Sequence, residues 1–181
     1  MEIAEAVFEK FGSQHIFHIP NVGLAVVRAS KNKAHRTIFS QPFFSHGYGY
    51  RMMAICAPYG DGIALREYFS VFVCLMKSDY DAILEWPFKC KITFTISSED
   101  KKQKVSRCYD PLEHPEMSEF HQRPTGLRNG AVGFQNFVLL SELQNFTISS
   151  DLFLEVRVDL RPEEIRTAQE IDSEKCQGPD F

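Results

Sequence analysis

His15 and His18, in the segment QHIFHI, stand three residues apart, a spacing that resembles a metal-ligand pair. The segment reads as a strand, however, and on a strand positions i and i+3 point to opposite faces, so the two rings cannot share an ion. His114 and His121 lie in a proline-bearing loop with no cysteine pair nearby, and they read as ordinary loop histidines. Asp79, Asp81 and Glu85 precede the only tryptophan, Trp86, and such a cluster could supply general acid and base. That chemistry needs a pocket and shifted pKa values, and the surrounding residues read instead as a solvated turn. The five cysteines, Cys56, Cys74, Cys90, Cys108 and Cys176, never occur in CxxC spacing and mostly sit within apolar runs. They read as buried thiols of a reducing compartment, not as a disulfide framework or a zinc site. GxSxG, glycine-rich phosphate loops and HExxH are all absent. The expectation is therefore no catalytic residues, no metal and no cofactor.

Composition narrows the remaining functions. The chain has 181 residues, 44% hydrophobic and 13% aromatic, enough to bury one substantial core. Its net charge is −4 with the lysines and arginines dispersed, which lacks the basic stripe that a phosphate backbone requires. No apolar run reaches the length of a membrane-spanning helix, and the N-terminus MEIAEAVFEKFG carries early acids instead of a cleavable apolar stretch. These features read as a soluble cytoplasmic protein, or a domain of one, with neither nucleic acid nor membrane insertion. The sequon Asn145-Phe146-Thr147 would matter only in a secreted chain.

Period-two alternation dominates the elements. In DLFLEVRVDL, the residues Leu152, Leu154, Val156, Val158 and Leu160 share one face, and Asp151, Glu155, Arg157 and Asp159 share the other with Phe153. KITFTIS places Ile92, Phe94 and Ile96 inward, and SSEDKKQK turns the chain into a return strand over 105–109. YRMMAICA (50–57) and EYFSVFVCLM (67–76) form a central hairpin around the turn Pro58-Tyr59-Gly60-Asp61-Gly62. QHIFHI (14–19), LAVVRA (24–29) and GFQNFVLL (133–140) add strands. Helical spacing is confined to MEIAEAVFEKF, with Ile3, Val7 and Phe11, and to a short piece at Ser141-Glu142-Leu143. The pattern predicts an all-β, antiparallel sandwich over residues 13–160. A short helix at 1–12, the end of a coiled coil, precedes it, and a polar acidic tail at 161–181 follows.

The segment LEWPF pairs Trp86 with a proline that forbids helix and cannot donate to a sheet ladder, so Trp86 and Phe88 should plug the space between two strands. It belongs to a series that includes FSQPFF (39–44), GYRM (49–52), GDG (60–62), DAILEWPF (81–88), FHQRP (120–124), Gly133-Phe134 with Phe137, and Ser150-Asp151. In this order and spacing the series resembles the C-terminal TRAF domain, of the meprin-and-TRAF-homology (MATH) family, over residues 14–160. Phe17 stands where the family usually has tryptophan, and His121 looks like an insertion before QRP.

The resemblance implies an eight-stranded sandwich without catalytic activity that holds short extended peptides from receptor tails and adaptors, usually within a homotrimer. It also implies, in a different class, the substrate-recruiting part of a ubiquitin ligase or deubiquitinase; a third reading is an extracellular ligand-binding sandwich. Within the implied groove, Phe72 and Tyr109 match pocket aromatics, Asp61 matches an acidic turn position, and Gly133 and Phe134 match the strand that pairs with the peptide. Phe72 also alternates with the apolar face Phe69, Val71, Val73 and Leu75, so it should point outward. Ile55 replaces the family's anchoring arginine and Ala57 its tyrosine. Ser118 is kept beside Glu119, and Val132 stands where receptor-binding members carry serine. Two readings of Ile55 and Ala57 stand side by side: a strand that has drifted toward packing and binds nothing, or a groove recut for an apolar peptide. On either, acidic receptor-tail motifs should bind at least about tenfold more weakly than in receptor-binding relatives. With barely one and a half heptads ahead of it, the sandwich alone should be a monomer or a weak trimer.

Overall fold

The computed structural model describes residues 13–160. The expected helix at 1–12, the tail at 161–181 and Cys176 lie outside them. Nine strands appear among the described residues: β1 (Ser13–Ile19), β2 (Ile38–Phe39), β3 (Phe43–Phe44), β4 (Arg51–Ala57), β5 (Tyr68–Met76), β6 (Lys91–Ser97), β7 (Lys104–Tyr109), β8 (Val132–Leu139) and β9 (Leu152–Asp159). They form two antiparallel sheets. One has four strands in the order β1-β9-β6-β7; the other has five, with β2-β4-β5-β8 side by side and β3 also paired to β4. The antiparallel sandwich is as expected from the alternation. Residues 38–44 contribute two short strands, Ile38–Phe39 and Phe43–Phe44, along β4, and with the segment 24–29 not a strand the total is nine.

One expected strand is a helix. Residues 24–29 belong to α1 (Val22–Lys31), capped by Asn21, whose side chain accepts from the Leu24 amide at 3.2 Å. Val22, Ala25, Val26 and Ala29 follow the i, i+3, i+4, i+7 spacing of a helical face, and Val22 and Ala29 are fully buried. Leu24 and Val27, which made the segment look strand-like, are the residues left facing solvent. The expected helical piece at 141–143 is also displaced: a single 3-10 turn covers Leu143–Phe146.

Alternation places the core. Leu152, Leu154, Val156 and Val158 of β9 are fully buried, and they meet Ile92, Phe94 and Ile96 of β6 in the same cluster as Met52, Ala54 and Cys56 of β4. Each such aliphatic or aromatic side chain removed from water contributes about 1.5–3 kcal/mol before entropy is counted. Three of the four described cysteines, Cys56, Cys74 and Cys90, are buried, and burial pushes the Cys56 thiol up; Cys108 is exposed on the outer face of β7.

The LEWPF corner is a plug, as its sequence suggested. Its Trp86–Pro87 bond is cis, and Phe88 is buried. The Tyr50 ring stands edge-on to Trp86 at 5.1 Å and to Phe88 at 4.9 Å, and the Trp86 Nε1–H donates to the Asp81 carbonyl at 2.9 Å. Asp81 is not solvated as expected: it is buried, and its Oδ2 accepts from the Ser78 amide at 3.0 Å, closing the turn that carries the corner. His15 and His18 diverge as strand geometry requires. His15 stacks on Phe43 at 4.2 Å, while His18 faces outward and meets Asp151 Oδ2 at 2.8 Å.

Candidate functional site

The register of the five-stranded sheet aligns Phe39 with Ile55, Ile55 with Phe72, and Phe72 with Gly133, one row across the sheet's outer face. These positions face outward because their neighbours Cys56, Val71 and Val73 face the core. A groove of about 290 Å³ opens over this row. Ile55 and Ala57 are its floor, each 5% exposed, and Thr37, Phe39 and Phe72 stand around them. Asp61, Arg128 and Ala131 complete the lining.

Local chemistry explains the two ends. Between Phe69 and Val71 the β5–β8 register shifts, and Ser70, fully buried at the irregularity, donates its hydroxyl to the Gln135 carbonyl. The same Oγ accepts from the Asp61 amide at 3.1 Å, so the glycine turn is tied down with the Asp61 carboxylate exposed. That carboxylate takes only a long contact from Gln135 Nε2, 3.4 Å. At the other end, the backbone of Arg128 bridges to Met76, which brings its guanidinium over the Phe39 ring, 5.6 Å from the centroid. Arg128 also bears on Cys74: burial pushes that thiol up, and the guanidinium opposes the shift. β8 closes the sheet, and among the described residues no strand pairs with its outer side, so its backbone there faces an open edge.

The structure thus brings together Ile55, Ala57, Asp61 and Phe72, and it sets Gly133 beside Phe72. Gly133 has a packing reason of its own: with φ +155°, a Cβ would lie 2.2 Å from the Val71 carbonyl oxygen and 2.8 Å from the Phe72 Cα. The other expected site residues lie elsewhere. Val132 is buried and pairs with Val73 on the inward side. Phe134 pairs with inward-facing Val71 and packs edge-on against Phe94 at 6.0 Å, with Arg107 over its ring at 4.1 Å. Tyr109 is buried rather than open: its hydroxyl meets His121 Nε2 at 2.9 Å, His114 stacks on it at 4.7 Å, and burial pushes its pKa up to about 12. Ser118 is exposed on a 3-10 turn (Pro115–His121), its carbonyl accepting from Gln122 Nε2 at 3.2 Å.

Phe39 and Arg128 were missed from sequence. Phe39 was legible in principle, since it lies within FSQPFF and pairs directly with Ile55. Arg128 sits in the irregular stretch between QRP and β8, where no periodicity tells which way a side chain points. Among the described residues, no three His, Cys, Asp or Glu side chains come together as a metal site, and no helix is long and apolar enough to cross a membrane.

The family model described as TRAF/meprin, MATH domain matches residues 35–155, a span that runs from before β2 into β9 and contains the whole groove lining. Human TNF receptor-associated factor 5 is 34% identical over 128 residues, covering 68% of this chain and 22% of that protein. Human TNF receptor-associated factor 1 is 31% identical over 137 residues, covering 75% of this chain and 32% of that protein. The chain therefore spans between about a fifth and a third of the length of these relatives. The solved structure of Notothenia coriiceps TRAF5 superposes with a TM-score of 0.75 at 27% identity, covering 82% of this chain and 73% of that one. Sheet architecture and sequence agree across the segment that builds the groove, and the chain belongs to the TRAF/meprin MATH domain family.

Proposed function

We propose that this chain is a non-enzymatic adaptor domain of cytoplasmic, receptor-linked signalling, and that it holds short extended peptides from receptor tails or adaptor proteins. The observation that carries this reading is the row Phe39–Ile55–Phe72, an apolar surface sunk into the outer face of a sheet and only one strand away from an open edge. A peptide laid along β8 finds an edge that no other described strand pairs with, and its side chains reach the row because Gly133 raises nothing between the edge and Phe72. Relatives named for their association with the TNF receptor support the adaptor reading. The apolar floor of Ile55 and Ala57 favours a recut groove over an abandoned one, since a drifted strand has no need to keep a half-buried phenylalanine facing outward beside it.

Titration of a set of linear peptides against the wild type and Phe72→Ala tests the reading. Binding by the wild type is expected to weaken by more than about 2 kcal/mol, roughly thirtyfold, in the variant. Peptides that bind both proteins equally would place recognition on another surface.

A further inference from the structure

The groove has two polar ends, and only one of them was foreseen. Along β5, Ser70 and Cys74 flank Phe72 on either side, and about 13 Å of strand separates them at some 3.3 Å per residue. Asp61 is fastened to Ser70, and Arg128 bears on Cys74, so a carboxylate and a guanidinium stand at opposite ends of one apolar row.

Arg128 is a cation without an acid. The ion pairs of the described residues are His18–Asp151, Lys91–Asp110, His114–Glu116 and Arg157–Asp159, and none involves Arg128. Its contacts are the Phe39 ring and the Cys74 thiol, neither of which neutralises it. Both also restrain the guanidinium over the groove, so less side-chain freedom is left to lose when an anion arrives. A guanidinium offers a planar fork of donors to a carboxylate, and against a partly desolvated aromatic wall such a pair is stronger than on open surface.

We infer that Arg128 is the carboxylate anchor of this groove, and that the chain selects extended peptides bearing an Asp or Glu at the Arg128 end of a bulky apolar side chain. The inference rests on the peptide-binding reading above and specifies its ligand. The apolar side chain covers Phe72 and Ile55, the acid reaches Arg128, and the Asp61 end repels a second acid. The expectation that acidic motifs bind weakly is thereby refined: acids placed for a cation at position 55 lose their partner, and acids placed for Arg128 gain one.

The test is selection from a display library of random linear peptides on the wild type, Phe72→Ala, Arg128→Gln and Arg128→Glu, followed by titration of the recovered peptides and their amide analogues. The Arg128 side chain is exposed, so its replacement should leave the fold intact, and thermal melts of each variant check that. Expected are wild-type peptides that depend on Phe72 and carry an acid at one fixed offset from an apolar residue. Amidation of that acid should weaken wild-type binding roughly tenfold and leave Arg128→Gln binding unchanged. Arg128→Glu should recover peptides with Lys or Arg at the same offset. Phe72-dependent peptides with no acid preference, or with a preference that survives in Arg128→Gln, overturn the assignment of Arg128 and leave the groove standing. Failure to recover any Phe72-dependent peptide removes both.

Discussion

Two aromatic clusters flank the β5–β8 pairing, one built around Tyr109 and one around Phe72, and they differ in where their polar groups find partners. In the first, Tyr109 bonds His121, stacks with His114 and meets Phe134 edge-on at 6.5 Å, while Arg107 covers Phe134 and donates to the Asn136 carbonyl at 2.9 Å. Its hydrogen bonds close on themselves. In the second, Phe39 and Phe72 border an apolar floor, Arg128 has no carboxylate and Asp61 has only a long amide contact. A cluster that satisfies itself stabilises the fold, whereas one that leaves charges unpaired over apolar surface is prepared for a partner. Resemblance alone put Tyr109 and Phe72 in the same pocket; burial separates them.

The largest effect that would test this contrast is on stability. Tyr109→Ala removes a buried ring and should cost about 3–5 kcal/mol, read as a drop in the denaturant midpoint. Tyr109→Phe keeps the ring but strips His121 Nε2 of its partner, for a loss of about 1–3 kcal/mol. If either change leaves stability intact while weakening a Phe72-dependent peptide, the Tyr109 cluster is part of the site and the division fails.

Phe72→Ala should show the reverse. The ring is only half-buried at the rim of the groove, so its stability cost should stay near 1 kcal/mol while peptide affinity falls by more than about 2 kcal/mol. Circular dichroism melts run beside the peptide titrations compare the two losses directly. A stability loss as large as that of Tyr109→Ala would make Phe72 a core residue.

Strand alternation carried most of the fold, because each inward position in 152–160 and 91–97 is bought by burial on one side and solvent on the other. The helix at 22–31 is hidden in LAVVRA because that stretch starts at Leu24, on the exposed face, while the cap and the buried stripe begin at Asn21 and Val22. In the groove, Phe72 was legible from its alternation with Val71 and Val73, whereas Ile55 and Ala57 follow only from the family resemblance, counted from Gly49-Tyr50. Tyr109 was matched to the groove by resemblance alone, because it ends β7, where alternation no longer says which side a ring takes, and the histidines that enclose it come from a loop. Arg128 depends on a bridge to Met76, a contact across more than fifty residues that no local pattern announces.

A smaller effect separates the clusters by pH. Burial holds the His121 pKa below its ordinary value of 6.5, with the nearby His114 adding to the shift and Glu116 opposing it. A histidine whose folded pKa is depressed stabilises the fold fully above the ordinary value, and that contribution is lost as pH falls from about 6.5 through the folded pKa. His15, half-buried against Phe43, shifts in the same direction, also through burial, and adds to the slope. The denaturant midpoint should therefore decline as pH falls below about 6.5, and His121→Gln should flatten part of that decline. The groove lining holds no histidine, so peptide affinity, measured where the protein stays folded, should be level over the same range. An affinity that tracks the stability curve would couple the two clusters.

The smallest expected change is Asp61→Asn, and it asks whether the groove's acidic end belongs to the fold at all. The turn is held by the Asp61 amide on Ser70 Oγ, a bond that asparagine keeps, and the side chain gives up only a contact at 3.4 Å that its own amide oxygen can replace. The carboxylate is exposed, so its loss should alter stability by no more than about 0.5 kcal/mol. Its charge matters only to a ligand that brings a donor or a cation to that end, and through solvent such an interaction is worth at most about 1 kcal/mol. Peptides selected on Asp61→Asn should thus keep their acid at the Arg128 end and tolerate a second acid at the other, a relaxation that display selection resolves even where single titrations do not. A midpoint shift well beyond 0.5 kcal/mol would mean that the Asp61 carboxylate supports the turn, and the open cluster would then begin at Phe72.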